Sequence, residues 1–278
     1  MSDGEDDAYL DDAEDVSALL SADEAEPPDA SQAAKDEAKA AKKRKRKEKE
    51  KERKAKKLKV AQATEAPELS VAAQPPVMLA DYLSSMQAKT FSKMSSIELA
   101  DMQIPVSSIA DTTPWTGSRN LDQLVEFITN TLPTLRTRLA QRPKSNGTPT
   151  LMFIAGAALR VADVTRKLKD KTLLGEKGGD VAKLFARHIK LEEHVRYLKR
   201  TKLAAAVGTP GRLGKLLEND ALSTAQLTHI ILDISYRDAK KRNLLDIPET
   251  RDEIFKTVLG YPKVLAGIRE GKIQVVLL

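Results

Sequence analysis

The sequence predicts an α/β fold, a mostly parallel sheet with flanking helices, over residues 79–278 of its 278 residues. Three observations predict it. Short continuous apolar runs, Leu151 to Ala155, Leu203 to Val207 and His229 to Leu232, read as strands buried on both faces. Stretches of helical period alternate with them, which calls for right-handed crossovers and a parallel sheet. Turn chemistry sits where strands should begin and end: Asn146-Gly147-Thr148-Pro149 before the first run, Gly156 after it, and Thr209-Pro210-Gly211-Arg212 after the second.

Taken in order, the domain starts with a helix around Leu79 to Met86 and a second one capped by Ser95 or Ser96 and stopped by Pro105. Leu121, Leu124, Val125, Ile128 and Leu132 mark one face of an amphipathic helix interrupted by Pro133. The strand at Leu151 leads into a helix carrying Leu159, Val161, Ala162, Val164 and Leu168. Val181 to Arg187 fits strand or helix on pattern. It is assigned as strand because the helix after it, with Leu191, Val195 and Leu198, is well defined. The strand ending in Asp233 is followed by a helix at Asp246-Ile247-Pro248-Glu249, where Asp246 and Glu249 are spaced for a capping box. Lys272 to Leu278 is again strand-like. Ligands of such sheets sit beyond the carboxyl ends of the strands, and those ends carry Gly156, the Thr209 to Arg212 turn and Asp233.

Residues 1–34 hold twelve acidic and no basic side chains, too little apolar surface to offset ordering, and read as a disordered tail. Residues 35–60 carry fifteen basic and five acidic side chains. Within them Lys42-Lys43-Arg44-Lys45-Arg46-Lys47 is dense enough for a nuclear localisation signal or a sequence-blind RNA contact; a plain solvated charge run is the alternative. Residues 61–78, with Pro67, Pro75 and Pro76, read as a linker. The remainder still carries 31 basic against 23 acidic residues, which favours a polyanionic partner. The absence of cysteine excludes disulfides and Cys-ligated zinc, and His188, His194 and His229 are too scattered for a metal site. The N-terminus is acidic, unlike a signal peptide, and no apolar run approaches the roughly 18 residues that span a bilayer. A soluble intracellular protein without a membrane partner is expected.

The order strand, Thr-Pro-Gly-Arg turn, helix, strand ending in Asp resembles the first RecA-like domain of DEAD-box RNA helicases. The ATP-handling residues depart from that pattern. In Thr116-Gly117-Ser118-Arg119-Asn120-Leu121, Arg119 replaces the second glycine, Asn120 the phosphate-binding lysine and Leu121 the magnesium-binding hydroxyl. No hydrophobic strand is expected to lead into it. Asp233-Ile234-Ser235-Tyr236 keeps the first acid but puts Ile234 in place of the glutamate. A degenerate nucleotide site is therefore expected, with no ATPase, catalytic residue, cofactor, metal or small-molecule substrate. No second RecA-like domain is expected beyond Leu278. By the same resemblance Thr209, Gly211 and Arg212 would lie along an RNA backbone, and Arg160 is the charge kept in the other RNA-side turn.

Longer matches narrow this further. Phe153 to Asp163, Lys183 to Leu191, Val207 to Arg212, and Arg237-Asp238 with Asp246-Ile247-Pro248-Glu249-Thr250-Arg251 resemble the Cms-type family of nucleolar small-subunit (90S) pre-ribosome proteins. The resemblance implies a location in the nucleus and nucleolus, ribosomal precursor RNA and pre-ribosome proteins as partners, and a part in rRNA processing. Three functions compete: a non-enzymatic RNA-associated assembly factor, a protein-only scaffold within the pre-ribosome, and an ATP-dependent helicase.

Overall fold

Each apolar run pairs with its neighbours because, once stripped of water on both faces, its backbone groups find partners only in a ladder. A computed structural model describes residues 70–187 and 189–278. The acidic segment, the basic segment with Lys42 to Lys47, and the first half of the expected linker lie outside the described residues. The strands are β1 (Leu151–Ile154), β2 (Asp180–Leu184), β3 (Leu203–Gly208), β4 (His229–Leu232) and β5 (Gln274–Leu277). They form one sheet in the order β2-β3-β1-β4-β5, with every pair parallel. The registers align at the carboxyl ends: Leu184 lies opposite Gly208, Gly208 opposite Ile154, Ile154 opposite Leu232, and Leu232 opposite Leu277.

Side chains alternate along a strand, so each run feeds two cores. Leu151, Phe153, Val207, Ile231 and Val276 face one core. It is closed by α3 (Leu124–Thr131), α4 (Pro133–Leu139), α5 (Ala158–Leu168) and α6 (Lys171–Leu174). Met152, Ile154, Ala206, Ile230 and Val275 face the other. It is closed by α1 (Pro76–Thr90), α7 (Leu191–Leu198), α8 (Pro210–Glu218), a π-helical turn at Ile254–Val258 that continues α9 (Pro248–Glu253), and α10 (Pro262–Arg269). The short α2 (Ser96–Asp101) follows Ser95, which forms a capping box with Glu98.

Two expectations need correction. The folded body begins before residue 79: Ala72 is fully buried, and Pro76 starts α1 because its missing N–H and fixed φ suit the first turn of a helix. Asp246 and Glu249 form no capping box. Ile247 is the N-cap of α9, and Asp246 instead accepts the Asn243 N–H at 2.9 Å. As expected, no strand among the described residues leads into the Thr116 to Leu121 turn; the approaching segment touches the sheet by a single parallel bridge from Ile109 to Val275, with the Ala110 N–H donating to Val275 O at 3.0 Å.

Candidate functional site at the carboxyl edge

The aligned registers bring the three motif-bearing turns to one edge. One residue past each strand the ladder continues: Thr209 N–H to Leu184 O, Ala155 N–H to Gly208 O, Asp233 N–H to Ile154 O and Leu278 N–H to Leu232 O, all at 3.0–3.1 Å. Gly156, the Thr209 turn and Asp233 thus share an edge, as the sequence implied.

Their side chains, however, satisfy one another. Asp233 is 1% exposed. Arg160, two residues into α5, donates from Nε to Asp233 Oδ2 at 2.7 Å and from Nη2 to Oδ1 at 3.2 Å. Ser235 Oγ and the Tyr236 N–H also donate to Oδ1, at 2.8 and 3.3 Å. The guanidinium lies 5.4 Å from the Tyr236 ring centroid, a cation–π distance. A carboxylate held by a forked guanidinium and two further donors has its acceptor sites taken. Ile234, in the glutamate's place, is 4% exposed and packs in the core.

The Thr209 to Arg212 turn is closed in the same way. Thr209 is half-buried at the N-cap of α8, and its side chain makes no capping bond. Arg212 is only 8% exposed. It donates from Nη2 to Ile189 O at 2.9 Å and from Nη1 to His194 Nδ1 at 3.1 Å. Because an arginine only donates, Nδ1 must be the acceptor and the His194 proton sits on Nε2. Burial, then the neighbouring Arg212 charge, pushes His194 down to about 4. Burial likewise lowers the Arg212 pKa. The Gly211 N–H, which would face a phosphate, is bonded to the Glu253 carboxylate, whose pKa burial raises. Arg160 and Arg212, named as RNA-side residues by the resemblance, thus spend their guanidinium donors on partners inside the fold. Desolvating a guanidinium is costly unless carboxylate or carbonyl partners replace water, and this fold supplies them internally.

His194 and Glu253 are the members of this edge that motif reasoning missed. His194 falls at the i+3 position of the apolar stripe Leu191, Val195 and Leu198, a sign that it faces inward. Glu253 arrives from 41 residues after Arg212, and no local pattern links the two.

The Thr116 to Leu121 turn is packed by its own residues. A Cβ on Gly117 would lie 2.5 Å from the Trp115 ring. That ring packs edge-on to Phe127 at 5.8 Å, and its Nε1 donates to Ser118 O at 3.3 Å. Arg119 donates to Thr112 O at 2.9 Å and Leu277 O at 3.3 Å, with its guanidinium 5.3 Å from the Phe127 centroid. Burial lowers its pKa. Beside the turn, Gln123 Oε1 is buried without a hydrogen-bond partner among the described residues. These residues do not fit a nucleoside triphosphate with magnesium. Among the described residues no group of His, Cys, Asp or Glu is placed to hold a metal, and no helix is long and apolar enough to cross a membrane.

Fold and edge together define a parallel α/β domain whose turns at the carboxyl edge are closed by its own side chains. The chain belongs to the CMS1 family, described as U3-containing 90S pre-ribosomal complex subunit, whose model matches residues 25–278. It is 40% identical to Protein CMS1 of Chaetomium thermophilum over 62% of this chain and 67% of that protein. It is 33% identical to Protein cms1 of Schizosaccharomyces pombe over 73% of this chain and 69% of that protein. Against human Protein CMSS1 the identity is 28%, covering 64% and 58%. A solved structure of S. cerevisiae Dbp5 bound to RNA and ADP BeF3 is similar at 17% identity and a TM-score of 0.37, covering 52% of this chain and 30% of that chain. The L327V form of Dbp5 with the same ligands gives 16% and 0.40, covering 76% and 45%. The chain thus spans less than half of these helicase chains, and at such TM-scores the likeness adds nothing to the fold read directly from the sheet.

Proposed function

We propose that this chain is a non-enzymatic subunit of the small-subunit (90S) pre-ribosome that acts in rRNA processing in the nucleolus, using a helicase-like domain without ATPase activity. Family membership supports the assembly. The observation that supports the non-enzymatic part is the Thr116 to Leu121 turn, where the Trp115 ring packs against Gly117 and Arg119 spends its donors on the backbone carbonyls of Thr112 and Leu277. Ribosomal precursor RNA is the partner that the basic composition favours. At the carboxyl edge, the Thr209 hydroxyl remains the predicted group free of a capping bond for such a contact.

A second reading, a scaffold that touches proteins alone, is favoured by the internal commitment of Arg160 and Arg212. Ultraviolet crosslinking of the intact protein in cells, followed by sequencing of attached RNA, separates the two. Crosslinks to pre-rRNA are expected; co-sedimentation with 90S particles without any RNA crosslink would support the scaffold instead.

A further inference from the structure

We propose that the opposite, amino-terminal edge of the sheet is an RNA-backbone interface, in which Arg142, Lys144, Lys177, Lys199, Arg200 and Lys202 hold the phosphates of base-paired RNA. The inference rests on the reading that this protein contacts RNA, and it moves the contact away from the edge that the helicase motifs mark.

Three loops meet there. Asn146 bridges Lys202 in antiparallel fashion, and its Nδ2 donates to Lys199 O at 2.9 Å. The Gly147 N–H donates to Thr201 O, and the Asp180 N–H to Lys202 O, both at 2.9 Å. The approach is tight: a Cβ on Gly179 would lie 2.5 Å from both Pro143 Cγ and the Ala204 nitrogen. A fixed platform therefore carries residues that sequence distance separates. Between the loops opens a cleft of about 440 Å³ lined by Arg142, Lys177 and Lys202.

All six cations are exposed, and none forms an ion pair with another described residue. The two acids lining the cleft are Glu176 and Asp180. Asp180 is engaged elsewhere, 3.3 Å from Lys169 and accepting the Tyr197 hydroxyl at 2.7 Å. Unpaired positive charge concentrated on a rigid edge is the footprint of a polyanion site. The loops expose no large apolar or aromatic side chain. Binders of single strands stack bases on aromatic platforms, whereas a duplex offers its phosphates to cations and hides its bases. Base-paired RNA, read through its backbone, matches these loops.

The test is the salt dependence of binding of a short blunt RNA duplex to the full chain, followed by fluorescence anisotropy. The substitutions Arg142→Gln, Lys177→Gln and Lys202→Gln together should flatten the log–log slope by about 2 to 3, at roughly 0.7–0.9 per phosphate contact. The rim set Lys144→Gln, Lys199→Gln and Arg200→Gln should act similarly, while Lys89→Gln, Lys93→Gln and Lys215→Gln, a charge-matched set elsewhere, should leave the slope unchanged. Melting curves identify any set that unfolds the domain, and the other edge set then decides. Wild-type binding that neither edge set alters would overturn the inference while sparing the RNA reading. A wild-type chain that ignores the duplex but binds poly-glutamate through these residues would overturn the inference and point to an acidic protein, leaving the RNA reading to the crosslinking experiment.

Discussion

The two edges of one sheet use their cations in opposite ways. At the carboxyl edge Arg119, Arg160 and Arg212 are half or fully buried, and each donates to acceptors of the protein itself. At the amino edge the lysines and arginines of three loops stand in solvent without ion pairs among the described residues. Buried cations surrounded by acceptors act as struts, because moving them toward a ligand would strand their partners; exposed unpaired cations cost nothing to redirect. The carboxyl edge is thus closed by its own contacts, while the amino edge keeps its charge in solvent.

The sharpest break of this comparison is at Arg160. Arg160→Ala leaves Asp233, with its side chain fully buried, without its counter-charge. Losing one partner of a buried pair costs about 3–5 kcal/mol, so the melting temperature should fall by roughly 10 °C. Asp233→Asn in the same chain should recover part of that loss. A Tm that Arg160→Ala leaves in place would mean this arginine is no strut. Arg212→Ala comes next, at about 1.5–3 kcal/mol for its charged hydrogen bonds. Its duplex-RNA salt slope should equal that of the wild type; a flatter slope would return the carboxyl edge to the RNA interface.

Per residue and per pH unit, the smallest effect is on the acid side. His194 and His229 are both held down to about 4, chiefly by burial. A free imidazole titrates near 6.5, so the unfolded chain takes up these protons first as the pH falls. Their contribution to stability is complete above pH 6.5 and is lost progressively toward pH 4, with a limiting slope of about 2.7 kcal/mol per pH unit for two groups. Denaturant titrations across this window should show the slope, and His194→Gln should remove about half of it. An unchanged slope would mean that His194 is not held neutral against Arg212.

The sheet was legible in the sequence because Leu151 to Ala155, Leu203 to Val207 and His229 to Leu232 are apolar without interruption, a pattern that only two covered faces explain. Ser95 with Glu98 was legible for a local reason, three residues apart on one turn. The motif residues were placed on the right edge, yet the state of their side chains was not readable. Whether Arg212 faces solvent depends on His194 and Ile189, 18 and 23 residues away, and whether Arg160 does depends on Asp233, 73 residues away. The amino-edge cations were hidden for the same reason, since Arg142, Lys177 and Lys202 meet through tertiary packing and form no run in the sequence.

The most direct test of the central claim, that the protein's own side chains close the turns of the carboxyl edge, is the melting temperature of the full chain titrated with magnesium and ATP. A ligand at 100 times its Kd would stabilise the fold by about 2.7 kcal/mol, equivalent to roughly 5–10 °C for a domain of this size. The packed Thr116 to Leu121 turn predicts a flat response up to millimolar nucleotide. A saturable rise in Tm that is lost on Asn120→Ala would contradict it.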